Sequence, residues 1–483
     1  ITGGLVGIVL TELLHFVQHH AYGYALDGGH QSFREGVEAA APLRRFYALL
    51  SCGVAAGGGW WLLKRYGKPL VGIKASLAKP LAGLPFAATV SHALLQIVTV
   101  GLGSPLGREV APREMTAAFA SLWVRRLGLD EDGARLLIAC ASGAGLAAVY
   151  NVPLAATLFI LETMLGVWTR QAVTAALFCS VLATAVSRMG LGDMQQYSVG
   201  LQIDRPLLWW SAAAGPLLGT VAVLFQRTTG PFPFLARGDR RIMAVAVLSF
   251  ALIGLMSVWF PAILGNGKAG NQLVFGGLIG WQDSLQLAVL KWLAVLLALA
   301  AGAYGGLITP SMMLGGTLSF ASAALWNAFL PAMPSESAAV VGAAVFLGVS
   351  LKMPLTAVVF VLELTRAPVA LLMPLCLCLT GAVAAAGRYF AADGRANKGR
   401  ETVFYQILAL LIWSSSFIAA KFAYTMLDAA LMVQARLLIS VLIVLPVCRR
   451  YLDKIPKNKW KPLLWLSFLN YVVVLMLQFI GLK

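Results

Sequence analysis

The sequence predicts an all-α, polytopic membrane protein built from an internal repeat of broken and tilted helices. Three observations predict it. The 483 residues are 59% hydrophobic and only 12% charged, against about 25% charged in soluble domains. Apolar stretches of about 20 residues recur along the chain, each long enough to cross about 30 Å of hydrocarbon, and the strand alternation of a β-barrel is absent. Finally, two motif pairs recur at nearly one spacing. "PLAATLFILE" (Pro153–Glu162) agrees with "PLTAVVFVLE" (Pro354–Glu363) at six of ten positions, offset by 354 − 153 = 201. "GREVAP" (Gly107–Pro112) and "GGLITP" (Gly305–Pro310) are offset by 310 − 112 = 198. Two pairs with one offset indicate a duplication.

In chain order, apolar segments run near 2–17, 45–63, 83–103, 114–124, 134–150, 153–168 and 172–190 in the first half, about 1–200. The second half, about 201–390, holds segments near 206–225, 241–264, 284–303, 308–330, 337–350, 354–366 and 369–390. Several are too short to span alone, and many are interrupted by Gly or Pro. Broken helices are tolerated in lipid only where protein or a water-filled cavity satisfies the freed backbone groups. Breaks in corresponding halves point to a transport site. Residues 391–402 ("ADGRANKGRET" and its flank) are polar and read as a linker, followed by about three further spans near 403–424, 428–448 and 462–481.

The net charge of +17 sits mostly in short connections such as Arg44–Arg45, Arg125–Arg126, Arg240–Arg241 and Lys454–Lys461. That pattern sets topology and names no nucleic-acid partner. The six cysteines lie in or at the ends of apolar segments, as small buried or lipid-facing residues rather than disulfides or metal ligands. No cleavable signal peptide is visible. The chain opens at Ile1 inside an apolar run, so a preceding N-terminal segment is expected.

The chemistry concentrates in the glycine–proline stretches. Gly permits close backbone approach and Pro suits the first turn of a helix. Each stretch can therefore end one helix and begin another inside the membrane, aiming free N–H groups and the positive dipole end inward. Two such termini, one per half, would hold a small desolvated anion. Glu109 lies at one of them. An acidic residue at mid-membrane costs about 2.5–3.5 kcal/mol on insertion scales. Glu109 could offset that cost by accepting the N–H groups meant for the anion, acting as a gate that protonation releases. It could instead pair with Arg108 or Arg113. The repeated Glu162 and Glu363 read as structural carboxylates that cap or bond neighbouring helices. Glu12, His15 and His19 have a spacing that could bind a metal, although a polar membrane-boundary turn with His20 explains them better. His92 reads as a satisfied interior histidine.

These motifs resemble the CLC family of chloride channels and proton-coupled chloride exchangers over residues 1–390. "LGREVAPRE" is similar to its gating-glutamate motif, and "GGLITP" to its second anion-site motif. "YNVPLAATLFILE" and "KMPLTAVVFVLELT" are similar to its paired proline–glutamate helices, and "LGNGKAGNQ" (Leu264–Gln272) to its mid-chain glycine loop. The resemblance implies two inverted, intertwined halves in a homodimer with one pore per subunit, in a bacterial inner membrane. It implies chloride or another small anion as substrate, with or without protons, and neither enzymatic activity, cofactor nor metal. It makes Glu109 the gating residue and places the anion among Gly107, Arg108, Val110, Gly306, Leu307, Ile308 and Thr309, with Ile308 where the family has a pore-lining Phe. Tyr389 is the candidate pore tyrosine.

The sequence also departs from the family. Pro112 lies one residue farther from Gly107 than the pattern has it. "YGKPLVGIK" (Tyr66–Lys74) replaces the family's serine-containing filter, and Thr163 stands where exchangers carry their internal proton glutamate. Thr163 cannot carry a proton, which favours a passive pathway unless another residue or a water chain serves. The tail, "LALLIWSSSFIAAKFAYTMLDAALMVQARLLISVLIVLP" (Leu408–Pro446), resembles the opening helices of EamA-type drug/metabolite transporters. A metabolite carrier defined by residues 403–483 is therefore the alternative function.

Overall fold

The computed structural model describes residues 1–24, 32–193, 195–230 and 241–391, with side chains to Gly387. The linker and tail assigned above lie outside the described residues, except that Ala391 closes the last described helix. The described residues form seventeen α-helices. Eight of the described helices are long and apolar enough to cross a membrane.

The first half runs α1 (Thr2–Tyr22), α2 (Phe33–Ala39), α3 (Pro42–Tyr66), α4 (Ile73–Ala78), α5 (Phe86–Gly101), α6 (Val110–Leu127), α7 (Glu131–Tyr150), α8 (Pro153–Phe159) and α9 (Arg170–Leu191). The second runs α10 (Arg205–Thr229), α11 (Arg241–Trp259), α12 (Lys268–Phe275), α13 (Trp281–Ala300), α14 (Ile308–Phe329), α15 (Ser335–Ser350), α16 (Pro354–Thr365) and α17 (Leu372–Ala391). Apart from α2, each helix of the first half has a counterpart in the same order in the second. The duplication read from two motifs thus extends over whole halves.

Two symmetric contacts show that the halves are related by a pseudo-two-fold axis. Gly107 and Gly306 form an antiparallel bridge with reciprocal N–H···O bonds of 2.7 and 2.8 Å. Glu162, in the π-helical continuation of α8 (Ile160–Leu165), accepts the N–H groups of Leu355 at 3.1 Å and Thr356 at 2.8 Å in the first turn of α16. Glu363, near the end of α16, accepts those of Leu154 at 3.0 Å and Ala155 at 2.7 Å in the first turn of α8. Each helix starts with Pro at its first position, so its orphan donors begin just after. The other repeat's carboxylate supplies the acceptor and meets the positive dipole end.

The core around the site mixes small residues with a few large apolar ones. Ser142–Tyr150 of α7, Ile308–Thr317 of α14 and Ser337–Ser350 of α15 are buried at every position. Where α14 crosses α15, a Cβ on Gly315 would strike the Gly342 carbonyl, and one on Gly342 would strike Ser319. Glycine is required there because the backbones touch, as in other membrane helix pairs. Outside, Leu248, Leu252 and Leu255 of α11 are exposed, while Trp209, Trp259 and Trp281 are exposed near helix ends. Apolar faces with aromatic ends suit a bilayer and its interfaces.

Candidate anion site

The chain breaks at Gly101–Glu109 and again at Ala301–Leu307, and α6 and α14 start where the breaks meet. The bridge between Gly107 and Gly306 holds the two stretches together. Both helices therefore aim their N-terminal ends at one buried region, where unpaired N–H groups and the helix dipoles favour negative charge.

Glu109 is the N-cap residue of α6 and is fully buried. Its carboxylate reaches across to the other half. Oε1 accepts the Ile308 N–H, the first of α14, at 2.7 Å. Oε2 accepts the Tyr150 hydroxyl at 3.1 Å. Tyr150 also shares a 2.8 Å hydrogen bond with the Thr309 hydroxyl. A Cβ on Gly107 or Gly306 would overlap the Glu109 carboxylate, so the glycines leave the space that it fills. Both take negative φ, and their need for glycine is steric rather than conformational.

The two arginines are engaged elsewhere. Arg108 donates to the Val149 carbonyl at 3.3 Å, and its guanidinium lies 5.4 Å from the Tyr150 ring centre. Arg113 lies 4.4 Å above the Phe159 ring. Among the described residues no hydrogen bond or close ion pair joins Glu109 to either arginine, although Arg113 is near enough to interact with it electrostatically; its hydrogen bonds run to Ile308 and Tyr150. Thr309 and Ile308 are buried, while Val110 and Leu307 are half-buried at the edge of the site. Tyr389 falls within α17, but its side chain lies outside the described residues. Lys68 of the replaced filter is exposed, in the extended run before α4. Thr163 donates to the Phe159 carbonyl at 2.6 Å, inside its own helix.

Sequence reasoning missed Tyr150. The available signal was a hydroxyl-bearing aromatic ending an otherwise apolar helix, one residue before Asn151 and three before Pro153. Phe360 of α16 fixes its ring edge-on at 5.4 Å. Tyr150 also lines a polar cavity of about 200 Å³ with Asn151, Arg188, Gln195 and Arg366. In the loop between the halves, Asp193 accepts from Asn151 at 2.8 Å and pairs with Arg188 at 3.2 Å and Arg366 at 2.8 Å. The Asn151 amide, then the two guanidiniums, hold the Asp193 carboxyl below its ordinary range.

His19 bonds the Tyr24 carbonyl and His20 the Phe16 carbonyl at 2.8 Å. Among the described residues no cluster of three ligating side chains could hold a metal. His92 accepts from the Trp60 indole at 2.9 Å and faces Glu114 at 3.4 Å.

Comparison with known proteins adds a family. Residues 47–387 match the model described as voltage gated chloride channel. The chain is 30% identical over 279 residues to a Yersinia pestis H(+)/Cl(-) exchange transporter, ClcA, covering 55% of this chain and 58% of that protein. It is 25% identical over 335 residues to a Citrobacter koseri voltage-gated ClC-type chloride channel, ClcB, covering 67% of this chain and 80% of the relative. The chain thus spans about three fifths of the length of the Yersinia relatives it matches. Among solved structures, a slow cyanobacterial Cl-/H+ antiporter superposes with a TM-score of 0.69 at 20% identity, covering 84% of this chain and 96% of the other. That likeness establishes the fold.

Proposed function

This chain belongs to the voltage gated chloride channel family, and from that premise we propose that it moves chloride or a related small anion across the membrane along a path gated by Glu109. The observation that supports the reading is the seat of the Glu109 carboxylate. It accepts the first N–H of α14 at the meeting point of two helix N-termini. A carboxylate there is a tethered anion. A free halide arriving at the same amides must displace it, and protonation helps by removing the charge those amides hold.

In this reading, Gly107, Arg108, Val110, Gly306, Leu307, Ile308 and Thr309 flank the anion. Backbone amides do the binding and glycines provide the room. Dry amide donors favour ions that lose their hydration readily. Relatives of this chain are described both as exchange transporters and as channels. Thr163, bonded to its own backbone, cannot take the role of an internal proton carboxylate. The protein works as a multi-pass homodimer, each subunit with its own path.

The test is reconstitution of the purified protein in liposomes, with flux measured for chloride, bromide, nitrate and fluoride at two pH values. Anion flux that grows in acid is expected. Sealed proteoliposomes with no anion flux at either pH or any voltage would overturn the reading.

A further inference from the structure

The polar cavity that Tyr150 lines shares three of its residues with a cluster that the anion path does not use. Side chains from the ends of three helices converge on one oxygen, Asp193 Oδ1. The Asn151 amide and Arg366 each donate to it at 2.8 Å, and Arg188 lies 3.2 Å from it. Arg188 Nε also donates to Asn151 Oδ1 at 2.8 Å, which turns the amide nitrogen toward Asp193. The loop that carries Asp193 is pinned to the end of α16. The Tyr197 N–H bonds the Leu364 carbonyl at 3.3 Å, and the Gln195 amide donates to the Thr365 carbonyl at 2.9 Å.

Two of these donors stand where the backbone would prefer glycine. Asn151 and Arg366 are the C-caps of α7 and α16, in the left-handed region at φ 60° and 50°. The matching helix of the first half, α8 with its π-helical continuation, ends on Gly166 at φ 67°. Asparagine tolerates this region, but arginine is strained in it. The side chain of residue 366, rather than its backbone, therefore accounts for an arginine there.

Charge points the same way. Three helix C-termini meet at the cluster, each carrying about half a negative charge. Arg188 lies in the last turn of α9, Arg366 caps α16, and the Lys268 ammonium donates to cavity-lining Gln196 at 3.1 Å. These three cations outweigh the helix ends. Glu363 also lines the cavity, but its oxygens are committed to the Leu154 and Ala155 N–H groups. Among the described lining and cluster residues, Asp193 is the carboxylate left to balance the cations. Its side chain is 50% exposed, and those of Arg188 and Arg366 are 45% and 48% exposed. Dissolved ions reach all three, and Asp193 can turn into water without stranding a buried charge. The cavity, about 200 Å³, equals several waters at about 30 Å³ each.

We propose that Asn151, Arg188 and Arg366 form an inhibitory site for a small tetrahedral oxyanion of the phosphate or sulfate type, occupied in this structure by Asp193 as a tethered substitute. The ligand class follows from the donors. Guanidinium forks and an amide match the several oxygens of such an ion, whereas a halide offers a single point. A free oxyanion displaces the Asp193 carboxylate and fills the cavity against Tyr150. Tyr150 also holds Glu109, so the fixed negative charge repels an anion approaching the gate. The effect on flux rests on the anion-transport reading above; the binding itself does not.

The experiment uses the full chain in phosphatidylcholine liposomes. Inorganic phosphate is titrated on both sides at constant ionic strength, and chloride efflux is compared with each variant's own phosphate-free rate. Phosphate should slow wild-type efflux saturably. Asp193→Asn removes the competing charge and should lower the half-inhibiting phosphate concentration at least tenfold. Arg188→Gln with Arg366→Gln should raise it at least tenfold. In detergent, phosphate should raise the midpoint of thermal unfolding, more in Asp193→Asn than in wild type. A second set of liposomes containing phosphatidylglycerol separates a lipid phosphate from the free ion. Efflux or midpoints indifferent to phosphate, inhibition unchanged by these substitutions, or slowing by phosphatidylglycerol with free phosphate inert would overturn the proposal. Absence of any anion flux in wild type would overturn the transport reading instead, while the midpoint shift still decides the site.

Discussion

Replacing Glu109 with Gln tests the proposed gating role most directly, because it keeps the shape and removes the charge. The wild-type carboxylate accepts from Ile308 N–H at 2.7 Å and from Tyr150 at 3.1 Å. A hydrogen bond to a charged group contributes about 1.5–3 kcal/mol, and a neutral one about 0.5–1.5. In the variant, the amide oxygen still accepts from Ile308. Tyr150 can turn its proton to Thr309 and accept from the amide nitrogen, so both bonds survive as neutral ones at a loss of about 1 kcal/mol each. The interaction of charge with two helix N-termini goes as well, at about 0.5–1 kcal/mol each. Together these are about 3–4 kcal/mol, or roughly 100- to 1,000-fold in the ratio of displaced to seated side chain. In a liposome chloride-efflux assay, wild-type flux should rise on acidification. Glu109→Gln should be fast and flat with pH. Gly306→Ala should unseat the carboxylate by sterics but remain slower than Glu109→Gln, since its Cβ fills the place that carboxylate and anion share. A Glu109→Gln protein that kept the wild-type pH profile would refute the reasoning.

Tyr150→Phe removes one donor to Glu109 while keeping the ring against Phe360. The loss of about 1.5–3 kcal/mol should raise chloride efflux at neutral pH by roughly 10- to 100-fold, up to the ceiling set by Glu109→Gln. Glu162→Ala and Glu363→Ala each strip acceptors from the first turn of a helix in the other half. Each should cost about 1–3 kcal/mol, read as a lower midpoint of thermal unfolding in detergent, and their equivalence by symmetry predicts similar losses. For Asp193, the folded carboxyl is held below its ordinary value, so its contribution is present above the unfolded value of about 3.9 and is lost as pH falls through the lower folded one. The residue is exposed and its ion pairs are weak. Asp193→Asn should therefore shift the unfolding midpoint only slightly at neutral pH, and the difference should vanish in strong acid.

Much of this protein was legible in the sequence because membrane burial writes itself into composition. Hydrocarbon demands long apolar runs, and breaks are tolerated only where protein or a water-filled cavity satisfies the freed backbone, so the spans marked the fold class and the Gly–Pro interruptions marked the two breaks that meet at Gly107 and Gly306. The paired "PL…LE" segments revealed the duplication. They could not reveal that Glu162 caps α16 while Glu363 caps α8, because that exchange depends on how the halves are inverted.

Sequence by itself therefore determined a duplicated membrane fold of broken helices with a carboxylate at one break, since insertion energetics and helix-end chemistry are local properties. Only the tertiary structure decided which donors hold that carboxylate. Tyr150 lies 41 residues from Glu109 and Ile308 lies 199 away. The same holds for His92 and Glu114, a lone histidine and one of several acids in the sequence, which become a pair only where α5 packs on α6. Such contacts arise from helix packing across distant segments, and no local pattern of residues encodes them.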